Sequence, residues 1–163
     1  MTVLRHILSI LLLPVTVTLV VPYFVLSSRP FLPLSLAAVL LGAGVILCGL
    51  ALVFVTIRYF AALGRGTLAP WDPPRHLVVA GVYRHVRNPM VSGVVLILFG
   101  EALVFLSRGL LEWALGFLVV NLIYIPLLEE PMLEGRFGDE YRQYKRHVPR
   151  WVPRRTAWTP PWG

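Results

Sequence analysis

The sequence predicts an all-α integral membrane protein, in which a bundle of four transmembrane helices carries a cytoplasmic loop and short C-terminal helices. Three observations support this fold class. The 163 residues are 57% hydrophobic and only 14% charged, which is too apolar for a soluble domain of this size. Four apolar stretches are each long enough to cross about 30 Å of hydrocarbon, which takes roughly 20 helical residues. No alternation of apolar and polar residues predicts strands in their place.

The first two spans are predicted at residues 7–26 and 33–57. Arg5 precedes the first span as a basic residue would precede a signal peptide. The apolar run is longer than that of a signal peptide, however, and no clear small-residue cleavage site follows it, so we interpret it as a span. Three glycines lie in the second span: Gly42, Gly44 and Gly49. We expect them to permit close packing against another helix, and we expect the single cysteine, Cys48, to be a small packing residue.

The last two spans are predicted at residues 89–107 and 110–128. Asn88 can cap the third span, and Pro89 suits its first helical position. Pro126 removes a hydrogen bond within the fourth span and should kink it.

Two polar residues lie within these spans, where they must face protein or a cavity rather than lipid. Glu101 must be paired or protonated there; it either bonds to Asn121 or lies in the path of a lipid tail. Asn121 either forms an interhelical hydrogen bond or faces a pocket above the acidic pair that follows the fourth span.

The basic residues predict the orientation of the spans. If both termini are cytoplasmic, thirteen of the 15 lysine and arginine residues lie on the cytoplasmic side, as the positive-inside rule requires. We therefore expect a protein of the inner, cytoplasmic membrane with both termini inside. The net charge of +7 lies beside apolar spans, so the expected partners are membrane lipids with anionic headgroups rather than nucleic acid. No Cys/His cluster predicts a metal site.

Two polar segments, residues 64–89 and 129–155, form the predicted cytoplasmic part of a single domain over residues 1–163. The first is rich in Gly and Pro and predicts a structured loop. In the second, Gly138 predicts a break, and residues 139–147 predict a short helix that is acidic first and basic last. We expect the tail, residues 156–163, to be loosely held.

Two motifs in these segments, in order and on the same predicted side, resemble the isoprenylcysteine carboxyl methyltransferase family and its phospholipid methyltransferase relatives. The first is "GVYRHVRNPMVSG", in which Val91 replaces the usual Tyr of the family. The second is "EEPMLEGRFGDEYRQYKRHVPRWVP", with its Glu-Glu pair and closing Arg-Trp. The resemblance covers about residues 40–153.

The resemblance implies a membrane enzyme that uses S-adenosylmethionine to methylate a lipophilic acceptor, either an isoprenylcysteine-like carboxylate or a phospholipid amine. It also implies that the cofactor is enclosed at the cytoplasmic face. The candidate catalytic residues are Arg87, Asn121 and Glu130. The candidate cofactor-binding residues are Tyr83, His85, Arg87, Asn88, Pro89, Glu129, Glu130 and Tyr141.

The chemistry of these residues suits the cofactor. Arg87 and the free N–H groups at the start of the third span can hold its carboxylate. Glu129 or Glu130 can accept hydrogen bonds from its ammonium or ribose. A carboxylate acceptor would need no base, whereas an amine acceptor must lose a proton, for which His85 or a Glu is the candidate.

Alternatives remain open from the residues alone. Arg87 and Asn88 also fit a capped helix start whose arginine lies among lipid headgroups, and the two glutamates also fit a solvated helix end. A lipid reductase with a similar bundle, or a non-enzymatic membrane scaffold or sensor, would each explain the spans.

Overall fold

The computed structural model describes residues 11–28, 35–63 and 76–162. The helices are α1 (Leu11–Val20, wound as a π-helix and continued as an α-helix over Val21–Ser28), α2 (Leu36–Leu63), α3 (Pro89–Phe105), α4 (Arg108–Tyr124), α5 (Glu130–Phe137) and α6 (Asp139–His147). These described residues contain no strand, which confirms the all-helical prediction for them. Three predicted parts lie outside the described residues: the starts of the first two spans (7–10 and 33–34) and the first part of the loop (64–75).

Two stretches of helix are long and apolar enough to cross a membrane, Leu36–Phe60 and Arg108–Phe137. The apolar stretches Pro14–Ser28 in α1 and Pro89–Val104 in α3 are shorter. A helix of 17 residues, the length of α3, rises only about 25 Å. Within its described ranges, the structure therefore supports two of the four predicted spans by length and composition.

Helices α2 and α3 pack more extensively than any other pair, because glycines face each other at two levels. A Cβ added to Gly49 would lie 2.6 Å from the carbonyl oxygen of Gly93, and one added to Gly42 would lie 2.7 Å from that of Gly100. A Cβ added to Gly44 would meet nothing within 4 Å. The predicted packing role is confirmed for Gly42 and Gly49 and is wrong for Gly44.

Helix α4 continues the bundle on the other side of α3. Val94 and Leu98 of α3 pack against Ala114 of α4 in a buried cluster, and the Oγ of Ser107 caps α4 by accepting a hydrogen bond from the amide of Leu110. Cys48 does not join this interior. It is exposed, so its predicted packing role is wrong. Large apolar side chains of the same helix, such as Leu47 and Leu50, are exposed as well.

Pro126 does not break the fourth helix. The chain from Ile125 to Glu129 forms a π-turn, in which the amide of Glu130 donates to the carbonyl oxygen of Ile125. Proline lacks the amide that an α-helix would need at this point, and a wider turn accommodates the loss. The helix is therefore continuous from Arg108 to Phe137, and the predicted irregularity takes the form of one wide turn.

The C-terminal helices form as predicted. Gly138, at φ 56° and ψ −126°, separates α5 from α6, in a region of backbone space that favours glycine. Tyr141 and Tyr144 lie on one face of α6, and each is 3% exposed. Their rings pack edge to face at 6.2 Å. Helix α6 is therefore anchored through its tyrosine face, while its charged residues point outward.

The tail that follows α6 is not loosely held, so this prediction is wrong for residues 156–162. The ring of Trp158 stacks on His147 with 5.1 Å between centroids. Its amide donates to the carbonyl oxygen of Arg84 at 3.0 Å, and the Nε of Arg84 donates back to the carbonyl oxygen of Trp158 at 2.7 Å. The tail therefore lies along the segment that precedes α3.

Candidate functional site

A buried carboxylate with three cationic partners forms the centre of the candidate site. The side chain of Glu130 is 2% exposed. Its Oε1 accepts from the Nε of Arg150 at 2.6 Å and its Oε2 from the Nη2 of Arg150 at 2.9 Å, a bidentate pair. The Nη1 of Arg87 lies 2.9 Å from Oε1, and the Nζ of Lys145 lies 3.6 Å from Oε2. These charges make a buried carboxylate tolerable.

A backbone hydrogen bond and the start of α3 fix the position of Arg87. Its backbone amide donates to the carbonyl oxygen of Pro149 at 2.9 Å, and the next two residues, Asn88 and Pro89, begin α3. The Arg87 side chain is 7% exposed, and its Nε is buried without a hydrogen-bond partner among the described residues. An unsatisfied buried donor is rare, so this atom is a candidate ligand contact.

Three tyrosines surround the ion pair. The Nη1 of Arg87 reaches the hydroxyl of Tyr141 at a long 3.5 Å, and the hydroxyl of Tyr144 donates to the carbonyl oxygen of Tyr83 at 2.7 Å. Burial, followed by the charge of Glu130, raises the pKa of Tyr141 to about 12. Burial also raises the pKa of Tyr83, and the charge of Glu129 adds to this effect. Both phenols are therefore neutral at physiological pH and can donate or accept.

Glu129 differs from its neighbour. Its side chain is partly buried, yet it makes no hydrogen bond or ion pair to any residue that the structure describes. The π-turn places it at the last position before α5, and its charge is felt by Tyr83 and Tyr141. Of the two predicted acidic ligands, Glu129 is therefore the one whose carboxylate oxygens have no partner among the described residues.

An apolar cavity of about 760 Å³ lies beside this charged cluster. It is lined by residues of α2, the segment before α3, α3, α4 and the segment after α6: Leu52, Val82, His85, Val86, Ser92, Val95, Leu96, Leu118, Leu122, Trp151 and Pro153. Val86 and Trp151 directly adjoin Arg87 and Arg150 in sequence, so the cavity and the ion pair share two chain segments. This volume is in the usual range for small-molecule sites.

Three predicted contacts are absent from the part of the chain that the structure describes. The side chain of Asn88 makes no capping hydrogen bond, although Asn88 is the N-cap of α3. The Nδ2 of Asn121 donates to the carbonyl oxygen of Phe117 at 2.8 Å, so Asn121 bonds within its own helix and not to Glu101 or another helix. The Oε2 of Glu101 is buried without a partner. The cavity lies against Leu118 and Leu122, not Asn121.

The structure thus brings Arg87, Glu130 and Tyr141 into contact, with Tyr83 and Glu129 close by, and leaves Asn121 apart. Arg150 is not among the predicted site residues, although it is the arginine of the closing Arg-Trp motif. That motif was the available signal: its arginine pairs with Glu130 and its tryptophan lines the cavity.

Comparison with known proteins identifies the family. The sequence model described as "Phospholipid methyltransferase" matches residues 37–140, which include α2 to α5 and both acidic residues. The chain belongs to the phospholipid methyltransferase family. This assignment confirms the resemblance of the two motifs and makes the protein a member of a family of membrane methyltransferases.

The other comparisons add little about this member of the phospholipid methyltransferase family. A protein of Haemophilus influenzae, described as an uncharacterized protein, is 54% identical over 35 residues. That match covers 22% of this chain and 54% of the relative, so the chain spans about half the length of the curated relative it matches. No solved structure matches the chain.

Proposed function

We propose that the protein is an S-adenosylmethionine-dependent methyltransferase that acts on a lipophilic acceptor in the inner membrane. In this proposal residues 1–163 form one domain with four spans, the shorter α1 and α3 included, and both termini are cytoplasmic. The excess of basic residues around the candidate site supports this orientation. Membership of the phospholipid methyltransferase family supports the reaction class.

The observation that carries the proposal is the pair of unsatisfied groups at the Arg87–Glu130 ion pair. S-adenosylmethionine supplies a methyl group on a sulfonium, together with a carboxylate, an ammonium and ribose hydroxyls. The partnerless Nε of Arg87 would bind the carboxylate, with the free N–H groups at the start of α3 beside it. The carboxylate of Glu129, which has no partner among the residues that the structure describes, would accept from the ammonium or the ribose. The residues present therefore fit the cofactor.

The other predicted residues support this arrangement. Both oxygens of Glu130 are occupied by protein donors, so Glu130 would hold Arg87 in place rather than touch the cofactor. Tyr141, a neutral phenol in contact with Arg87, would bind at the edge of the same site. Asn88 and Pro89 would contribute by starting α3 at this point.

The apolar cavity would bind the tail of the acceptor. Its lining is almost entirely apolar, so a lipid tail can pass from the bilayer into the cavity without contacting water or an unpaired polar group. The residues of this chain would then act by holding the two reactants in line and by excluding water. The acceptor would be an isoprenylcysteine-like carboxylate or a phospholipid amine.

Two measurements on the purified protein in detergent or nanodiscs test the proposal. Titration with S-adenosylmethionine should give saturable binding, whereas NADPH should not bind. Methyl-labelled S-adenosylmethionine should transfer label to a lipophilic product when incubated with a panel of membrane lipids and prenylated cysteines. Binding of NADPH in place of S-adenosylmethionine would favour a reductase, and absence of both binding and transfer would favour a scaffold.

A further inference from the structure

Arg150 binds both oxygens of the buried carboxylate of Glu130. Its Nε donates to Oε1 at 2.6 Å, and its Nη2 donates to Oε2 at 2.9 Å. Two parallel hydrogen bonds between a planar guanidinium and a planar carboxylate fix the rotation of the carboxylate as well as its position. Arg150 therefore determines the direction in which each oxygen of Glu130 points.

The other cationic contacts of Glu130 are single and do not fix this rotation. The Nη1 of Arg87 lies 2.9 Å from Oε1. The Nζ of Lys145 lies 3.6 Å from Oε2, and it also lies 3.4 Å from the carboxylate of Glu134. The Lys145 side chain is exposed, and exposed ion pairs contribute little. Among the described residues, Arg150 is therefore the group that orients the Glu130 carboxylate.

The side chain of Arg87 depends on that orientation. Its Nη1 contacts two described side chains, Oε1 of Glu130 at 2.9 Å and the hydroxyl of Tyr141 at 3.5 Å. The second distance is too long for a strong hydrogen bond, so the contact with Oε1 is the one that holds the guanidinium. A rotation of the carboxylate would release Arg87, and with it the Nε that lacks a partner among the described residues.

The segment that contains Arg150 also holds the backbone of Arg87. The carbonyl oxygen of Pro149 accepts a hydrogen bond from the Arg87 amide at 2.9 Å. The side chain of Arg150 is 31% exposed, compared with 7% for Arg87, so Arg150 supports the ion pair from its more exposed side. Arg150 lies beyond residues 37–140, which the family model matches, and the family assignment therefore gives it no role.

We propose that Arg150 is a positioning residue for cofactor binding: through the carboxylate of Glu130 it directs the Nε of Arg87 toward the carboxylate of S-adenosylmethionine. The inference rests on the proposed function, which places the cofactor carboxylate at Arg87. Arg150 acts at a distance from the cofactor, since its Nε and Nη2 are occupied by Glu130. Its contribution is therefore confined to the carboxylate of the cofactor and does not extend to the nucleoside or the sulfonium.

A comparison of S-adenosylmethionine with decarboxylated S-adenosylmethionine tests the proposal, because the two ligands differ only in the carboxylate. We expect the wild-type protein in nanodiscs to bind S-adenosylmethionine about tenfold more tightly or better, the equivalent of one charge-assisted hydrogen bond. In Arg150→Gln this preference should fall toward one, because only the Kd for S-adenosylmethionine rises. Loss of folded protein would not produce this result, since it does not change the ratio of the two dissociation constants.

Two further variants complete the experiment. Arg150→Lys keeps the positive charge but cannot form two parallel hydrogen bonds, so its preference should lie between those of the wild type and Arg150→Gln. It also provides the measurement if Arg150→Gln does not fold. Arg142→Gln is the matched control: Arg142 pairs with Asp139, both side chains are exposed, and the preference should equal that of the wild type.

The outcomes separate this inference from the proposed function. The same preference in the wild type and the Arg150 variants, or an equal loss of affinity for both ligands, would overturn the positioning role and leave S-adenosylmethionine as the cofactor. Equal binding of the two ligands by the wild type would do the same. A wild type that binds neither ligand would overturn the proposed function as well.

Discussion

Arg87 and Glu130 form a buried ion pair, with 2.9 Å between Nη1 and Oε1. Arg87 lies two residues before the start of α3. Glu130 begins α5, near the end of the continuous helix Arg108–Phe137. The pair therefore joins two segments that are distant in sequence at one end of the bundle. Arg150 binds the same carboxylate, so the segment that follows α6 is joined to them as well.

The substitution Glu130→Gln should destabilise the protein strongly. It leaves the guanidinium of Arg87 buried without its counter-ion, and loss of one partner of a buried pair costs about 3–5 kcal/mol. Thermal unfolding in detergent, followed by intrinsic fluorescence, measures the effect. Glu134→Gln is the matched control: among the described residues Glu134 pairs with the more exposed Lys145, so its loss should cost less than about 1 kcal/mol. Equal midpoints for the two variants would contradict a structural role for Glu130.

The substitution Glu129→Gln should weaken cofactor binding and not the stability of the protein. Stability should be unchanged, because Glu129 makes no hydrogen bond or ion pair to a described residue. Affinity for S-adenosylmethionine should fall by about tenfold or more, the equivalent of one charge-assisted hydrogen bond. Calorimetric titration checks this, with Glu140→Gln at an exposed position of α6 as the control. An unchanged dissociation constant would remove Glu129 from the cofactor site.

The substitution Gly49→Ala should destabilise the packing of α2 on α3. The new methyl group would lie 2.6 Å from the carbonyl oxygen of Gly93, which is backbone and cannot rotate away. Overpacking of this kind costs about 1–3 kcal/mol. Gly44→Ala in the same helix meets nothing within 4 Å and should be neutral or slightly stabilising, since alanine is the better helix former. A comparison of the unfolding midpoints separates the two, and a loss in both would argue against the close approach of α2 and α3.

The substitution Trp158→Ala should release the tail from the segment before α3. The ring stacks on His147 and packs beside Tyr144, and these contacts hold the hydrogen bonds between Arg154 and His85. Exchange of the Arg154 amide hydrogen should become about tenfold faster or more, with exchange within α6 unchanged. Val152→Ala, at a side chain that is 76% exposed, should leave that amide protected. Equal protection in both variants would show that the tail is held without Trp158.

The elements that local signals govern could be predicted from the sequence. Gly138 and the order of charges in residues 139–147 define α6, and its bounds match the structure. Pro89 marks the start of α3 in the same way. The ends of the spans were harder to predict. The second span was predicted to end at residue 57, before Arg58, but α2 continues through Arg58 to Leu63, because a charged residue at the end of an apolar run does not stop a helix.

The contacts that depend on tertiary structure could not be predicted. Arg150 and Arg87 meet Glu130 only after the bundle has formed, so sequence alone left open which of the two glutamates these arginines bind. The sequence predicted that Asn121 bonds to another helix or faces a pocket. Its side chain instead donates to the carbonyl oxygen of Phe117 in its own helix, a local partner that asparagine side chains often use. The prolines of the tail predict a segment without regular secondary structure. The tail is held by aromatic stacking, and such contacts leave no periodic pattern in the sequence by which they could be predicted.

The docking of the tail has a consequence for biosynthesis. Trp151 and Pro153 complete the wall of the cavity, and the carbonyl oxygens of Pro149 and Arg154 fix Arg87 and His85. These residues follow all of the described helices in sequence, so a chain synthesised from its N-terminus acquires them after those helices. The cavity wall and the contacts that fix Arg87 and His85 can therefore form only once α6 and the tail have been synthesised.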